Sequence, residues 1–221
     1  NMNPHCDRCK GAGFYTFNVP VTHPQFGVLQ RCSCNTEGLQ RKGNIKPDQT
    51  FQTFTKEHCP AVVYRVQQYA NNPQGLLYLW GSTGNGKTHL AYAVANYFIS
   101  VTLKHVYFDT VSSILNRLRR GYSDETAESY DQVLLFLKTV PLLILDDLGA
   151  EKVTDWVGEQ LFTIINYRYT AQLPTIITSN LSPMDQSYSP RLQSRFLDQV
   201  ASCVIQFPNQ DYRRLTVKER L

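Results

Sequence analysis

Residues Leu76–His89 read LLYLWGSTGNGKTH. An apolar run, Leu76-Leu77-Tyr78-Leu79-Trp80, passes into Gly81-Ser82-Thr83-Gly84-Asn85-Gly86-Lys87-Thr88. That run fits GxxxxGK(S/T) in the context the pattern requires, a buried strand before it and a helix after it. The spacing has a physical reason. Glycines let backbone N–H groups close around phosphate oxygens, and the positive end of the following helix faces the same anion. Lys87 is placed to reach the β and γ phosphates, and the Thr88 hydroxyl to ligate Mg²⁺. Gly81 to His89 is therefore a candidate triphosphate cradle.

Outward from the cradle, Leu90, Ala91, Val94, Ala95 and Phe98 make a helical stripe, His105–Phe108 reads as a strand, and Val111, Ile114, Leu115 and Leu118 as a further helix. Gly121–Asp131 is polar and reads as a loop, followed by a short helix over Val133–Val140 that Pro141 ends. Alternating strands and helices predict an α/β fold with a central parallel sheet. Leu142-Leu143-Ile144-Leu145-Asp146-Asp147 is the second motif. A continuous aliphatic run suits a strand buried on both faces, and ligands bind at the carboxyl ends of such strands. Asp146 suits an acid that holds Mg²⁺, and Asp147 one that activates the attacking water, with Glu151 a rival for the second role.

A long amphipathic helix follows, with Val157, Leu161, Ile164, Ile165 and Arg168 on one side, then the strand Pro174–Asn180, whose terminal Asn180 is placed to position water. Pro190-Arg191-Leu192-Gln193-Ser194-Arg195-Phe196 puts two arginines on one short segment, Val204–Phe207 is a last strand, and Asp211-Tyr212-Arg213-Arg214 starts a basic tail. Tyr107, Phe108, Arg117, Arg119 and Arg120 mix aromatic rings with cations, the ingredients of a single-stranded DNA surface.

Upstream, Cys6, Cys9, Cys32 and Cys34 lie within the first 34 residues, as Cys-x-x-Cys and Cys-x-Cys. With no secretory signal ahead of them, the cluster reads as a tetrahedral Zn²⁺ site, with His5 and His23 as possible substitute ligands. Residues 1–35 form this module, 36–50 a polar linker, and 51–221 the nucleotide-binding domain, onto which Phe51 and Phe54 are expected to pack. The first cysteine pair resembles one CxxCxGxG unit of DnaJ-type zinc domains. The second departs from that pattern, so chaperone function does not follow.

The 221 residues carry a net charge of +4, which permits nucleic-acid contact without demanding it. No apolar run reaches membrane-spanning length, and a cytoplasmic protein without membrane association is expected. Asn1, ahead of Met2, is set aside as a processing remnant.

From Phe51-Gln52-Thr53-Phe54 through GSTGNGKTHLA, LLILDDLGAEK, Ile165–Tyr169, Thr178-Ser179-Asn180 and RLQSRF, the chain resembles the DnaC/DnaI/IstB family of AAA+ ATPases. The resemblance implies an AAA+ P-loop three-layer fold; in a departure from the family, only 41 residues follow Asn180, too few for a full helical lid, so a minimal C-terminal lid is expected. It implies ATP held with Mg²⁺ at subunit interfaces of an ATP-dependent oligomer. It also implies engagement of single-stranded DNA and of a replicative helicase of the DnaB type, or of a transposase in the IstB branch. By position, Asp147 is the catalytic acid, Asn180 the sensor-1 residue, Arg191 or Arg195 the arginine finger, and Arg213 the sensor-2 arginine. Many AAA+ proteins have Glu where Asp147 stands, which implies slow hydrolysis.

Overall fold

The computed structural model describes residues 6–55, 59–123, 128–151 and 154–208. In chain order these form β1 (Phe14–Thr16), β2 (Leu29–Arg31), α1 (Ser33–Lys42), α2 (Pro60–Asn71), β3 (Leu76–Trp80), α3 (Lys87–Thr102), β4 (Val106–Thr110), α4 (Val111–Ser123), α5 (Tyr130–Thr139), β5 (Leu142–Leu148), α6 (Asp155–Thr170), β6 (Thr175–Ser179), α7 (Pro190–Phe196) and β7 (Ser202–Gln206).

β3 to β7 build one five-stranded sheet in the order β4-β5-β6-β3-β7, all neighbours parallel. The glycine-rich loop follows β3, the acids end β5, and β6 lies between those two strands. Strand alternation divides the aliphatic runs into two cores. Leu77, Leu79, Phe108, Leu142, Ile144 and Ile176 face α2 and α3, while Leu76, Tyr78, Tyr107, Leu143, Leu145 and Ile177 face α4 to α7. The result is the three-layer α/β fold that the motif order predicts.

Local chemistry sets the helix ends. The Ser129 hydroxyl accepts from Gln132 N, and the Gln132 side chain accepts in return from Ser129 N, a capping box that starts α5. Ser189 caps α7 ahead of Pro190, whose missing N–H costs nothing in the first turn. The loop expected over 121–131 is shorter than expected: α4 continues to Ser123 and α5 begins at Tyr130, with 124–127 outside the described residues.

Two expectations change more substantially. The segment expected as a linker, 36–50, is the remainder of helix α1 as far as Lys42, followed by a packed strap. α1 lies against α3 and β4, and Ile45 is buried in the core on that side. Its polar composition reflects one exposed helix face, which a sequence reads as linker. After Asn180, the described residues hold only α7 and β7, and β7 joins the sheet beside β3, so no helical lid stands among the described residues. No described helix is long and apolar enough to cross a membrane.

Candidate functional site

The carboxyl ends of β3, β5 and β6 open into a cleft of about 810 Å³, lined by Thr83 to His89, Thr110, Asp146, Asp147, Thr178 and Asn180 on the sheet side. Gly86 ends the loop with φ +95°, and a side chain there would meet the Phe54 ring at 2.6 Å. Left-handed backbone and close approach both require glycine at this point. α3 starts at the next residue, so its first N–H groups and positive end lie at the cleft.

Lys87 is buried, and its Nζ donates to Gly81 O at 2.8 Å, Ser82 O at 2.7 Å and Asn180 Oδ1 at 3.0 Å. Neutral oxygens thus hold the ammonium on the cleft floor, from which it can turn to a phosphate. Asn85 Nδ2 and Ser82 Oγ are buried without a hydrogen-bond partner. A donor left unmatched in the interior costs about 1–3 kcal/mol, and a phosphate held in this loop would bring acceptors to it. The loop therefore fits a triphosphate on its own structure.

Asp146 Oδ1 accepts from Thr88 Oγ1 at 2.9 Å and from Thr178 Oγ1 at 2.7 Å. Burial pushes the Asp146 carboxyl above the usual range, the two hydroxyls pull it back, and the charge of Asp147 adds to the rise. A buried carboxyl beside a hydroxyl, whose charge a bound cation would offset, suits a cation site, and Thr88 with Asp146 are the residues that would hold Mg²⁺.

Asp147 is exposed to the cleft. The β5–β6 register slips between Leu145 and Leu148, and Asp147 sits in the slip with φ +59°. Such a bulge turns one residue out of the ladder, and Asp tolerates the left-handed region better than most side chains. That is a backbone reason for Asp at this position. Asn180 Nδ2 donates to Asp147 Oδ1 at 3.2 Å while its Oδ1 meets Lys87, so the three residues form one linked set. Glu151, the rival, is turned back: its carboxylate accepts from Gly149 N at 3.2 Å and does not line the cleft.

The opposite wall is Lys46, Gln49, Thr53, Phe54 and Thr55. These residues were missed; the signal for them was the aromatic pair Phe51 and Phe54 directly after a polar stretch. His89, expected in the cradle, lines the cleft and donates from Nε2 to Thr50 O at 3.0 Å, with its ring edge-on to Phe54.

Arg191 and Arg195 stand outside this cleft. Both guanidinium groups lie over Phe162 of α6, and Arg195 Nε donates to Asn166 Oδ1 at 2.7 Å. Arg213 and His5 lie outside the described residues. The aromatic DNA surface is not assembled: Tyr107 and Phe108 are buried on opposite faces of β4, because adjacent strand residues point opposite ways and both faces are covered. Arg117 bonds Glu128 and the Tyr107 hydroxyl, and Arg119 lies over Trp156 at 4.7 Å.

At the other end of α1, the sulfurs of Cys6, Cys9, Cys32 and Cys34 all lie within 4.8 Å of one another, with Cys6–Cys32 at 3.6 Å and Cys9–Cys34 at 3.4 Å. Four sulfurs at about 2.3 Å from a tetrahedral ion stand nearly that far apart, so the set fits Zn²⁺. At Cys9, burial opposes the thiolate, yet the Gly13 and Gly11 amides and the neighbouring thiols outweigh it and bring the pKa down to about 7. His23 is exposed and bonded to Gln25 N, apart from the sulfur cluster.

Comparison with known proteins fits this geometry. A family model described as IstB-like ATP binding protein matches residues 61–218. The replicative helicase loader DnaI of Bacillus subtilis is 37% identical over 108 residues, 48% of this chain and 33% of that protein. The chromosomal replication initiator DnaA of Thermodesulfovibrio yellowstonii is 29% identical over 169 residues, 71% of this chain and 36% of that protein. The chain thus spans about a third of the length of these relatives. The crystal structure of the DnaC helicase loader superimposes with a TM-score of 0.57 at 26% identity, covering 73% of this chain and 97% of that one.

Proposed function

Since this chain belongs to the IstB-like ATP-binding family and is a DnaC/DnaI/IstB-like AAA+ ATPase, we propose that it is a helicase-loader-type ATPase of DNA replication. It binds ATP with Mg²⁺, and hydrolysis switches its engagement of single-stranded DNA and a replicative helicase. The observation that carries the reading is the linked set Lys87–Asn180–Asp147 beside Thr88–Asp146 in one cleft. There Lys87 neutralises phosphate charge, Asp146 and Thr88 would hold the ion, Asn180 aligns water, and Asp147 takes its proton. Mg²⁺, when bound, would supply positive charge that offsets that of the phosphates. Arg191 or Arg195 would serve as the finger of a neighbouring subunit, which is compatible with their place outside their own cleft, and the active form on this reading is an oligomer. Zn²⁺ on the four cysteines supplies folding energy to the N-terminal module.

The test separates binding from turnover. Lys87→Ala should lose Mg·ATP binding, and Asp147→Asn should keep binding but hydrolyse at least about 100-fold more slowly. An Asp147→Asn protein that turns over at the parent rate removes Asp147 from the role. Arg191→Ala and Arg195→Ala should each be assayed alone and mixed with Lys87→Ala subunits. Recovered turnover in one mixture identifies the finger, and recovery in neither rejects action in trans. A pull-down from host extract with ATP should capture a hexameric helicase; capture of a transposase instead would reassign the partner.

A further inference from the structure

Asn96 lies on α3, outside the cleft, yet its side chain serves the cleft's far wall. Its Nδ2 donates to Lys46 O and to Gln49 O, both at 2.8 Å, and its Oδ1 accepts from Gln40 Nε2 at 2.7 Å. The amide thus uses two donors and an acceptor on one target, the junction of α1 with the strap behind it. Lys46 and Gln49 line the cleft. Further along, the Thr50 carbonyl accepts from His89, and Phe54 packs on Gly86.

The same strap leads back to the sulfurs. Cys34 lies in the first turn of α1 and Cys32 is its N-cap residue. At its far end α1 is fastened by Phe108 N donating to Gly43 O at 2.9 Å and by Asn44 Nδ2 donating to Phe108 O at 3.2 Å. A ten-residue helix is marginal without anchors at both ends. A metal on Cys32 and Cys34 fixes the first turn, and Asn96 with β4 fixes the last.

We propose that Asn96 is a positioning residue of the nucleotide site: it clasps the Lys46–Gln49 wall and, through Gln40, ties that wall to the metal-bearing helix, so that zinc loading raises nucleotide affinity. The inference rests on the nucleotide-binding reading above. Losing the clasp frees the wall without touching Lys87, Asp146, Asp147 or Asn180, so the effect falls on binding and not on the chemical step.

The experiment is titration of Mg·ATP into the full chain, zinc-loaded and zinc-stripped, with parent, Asn96→Ala, Asn96→Asp and Gln40→Ala proteins. For zinc-loaded Asn96→Ala, the dissociation constant and KM should rise about tenfold while kcat at saturation stays at the parent value. Asn96→Asp keeps the acceptor for Gln40 but loses both donations to the wall, and should behave the same way. Stripping zinc should weaken the parent about fivefold and leave Asn96→Ala unchanged, since each removes the same constraint. Gln40→Ala, at the helix surface, should lie between them, and amide exchange at 44–50 should rise in all three variants. Parent-like affinity in Asn96→Ala, or equal zinc shifts in parent and Asn96→Ala, overturns the inference alone. A parent that binds no nucleotide at any zinc loading overturns the nucleotide reading and this inference with it.

Discussion

In the sheet, Leu76, Leu77, Tyr78 and Leu79 are fully buried; in the β1–β2 hairpin, Phe14 and Leu29 are 36% and 65% exposed. Phe17, Phe26 and Val28 are exposed as well, and the hairpin's buried cluster is Cys9, Cys32 and Cys34. One region is held by apolar area removed from water, the other by whatever holds four sulfurs together. Some thirty residues cannot bury enough surface to balance the entropy of ordering them, and a metal on the four cysteines would replace the core. The two regions meet through α1, whose first turn belongs to the sulfur cluster and whose last turn belongs to β4.

The largest expected effect breaks the two regions apart. Cys9→Ser, or removal of zinc by a chelator, should cost the module on the order of 10 kcal/mol, more than it holds from other sources. Hydrogen exchange should then show residues 6–31 exchanging at unfolded rates while the sheet amides stay protected. Loss of protection across β3, β5 and β6 in the same sample would mean that the sheet leans on the metal, contrary to the contrast drawn here.

The second effect probes a charged side chain buried against the sheet. Arg168 is fully buried within α6, with Nε donating to Thr175 Oγ1 and Nη atoms to the carbonyls of Leu137, Lys138, Val140 and Pro174. Burial lowers its pKa to about 10. It closes the carboxyl end of α5, where a positive charge is also favoured by the negative end of the helix dipole, and joins that end to the start of β6. Arg168→Met keeps the aliphatic stem but leaves those carbonyls unmatched. The expected cost is about 3 kcal/mol, a fall in Tm of about 10 °C. A parent-like Tm would show that water reaches those carbonyls and that the region tolerates polar groups better than its burial suggests.

How much of this was legible depended on whether the signal was local. The cradle Gly81–Thr88 and the acids Asp146 and Asp147 announce themselves because phosphate and metal chemistry fix residue types at fixed spacing. The strands around them are long aliphatic runs, and both faces of a covered sheet demand such runs. Arg168 read only as one position on an amphipathic stripe, since its acceptors come from α5 and β6. The far wall of the cleft was hidden for a similar reason. Lys46 and Gln49 are ordinary polar residues, and only Asn96, some fifty residues away, makes them part of a site. Tyr107 and Phe108 erred in the other direction: their composition suits nucleic acid, but strand alternation sends each ring into a different core.

The smallest effect tests the seam itself. Gly43 follows α1 with φ −91°, a conformation open to any residue, so its backbone does not require glycine. Its space does: a Cβ there would lie 2.2 Å from the Val106 carbonyl oxygen, and backbone cannot swing aside as a side chain can. Gly43→Ala should therefore push the end of α1 off β4 and weaken the Phe108 N to Gly43 O bond, at a cost of about 1–3 kcal/mol. The loss should be local. Amides of 33–45 should exchange faster by one or two orders of magnitude, while β5 and β6 keep parent protection and the sulfur cluster keeps its zinc. Faster exchange in β5 and β6 would make α1 part of the sheet's cooperative unit, and no change at all would mean that the seam yields without cost. Between those outcomes lies the expected one, in which α1 is a separable strap, stiff only while both of its ends are held.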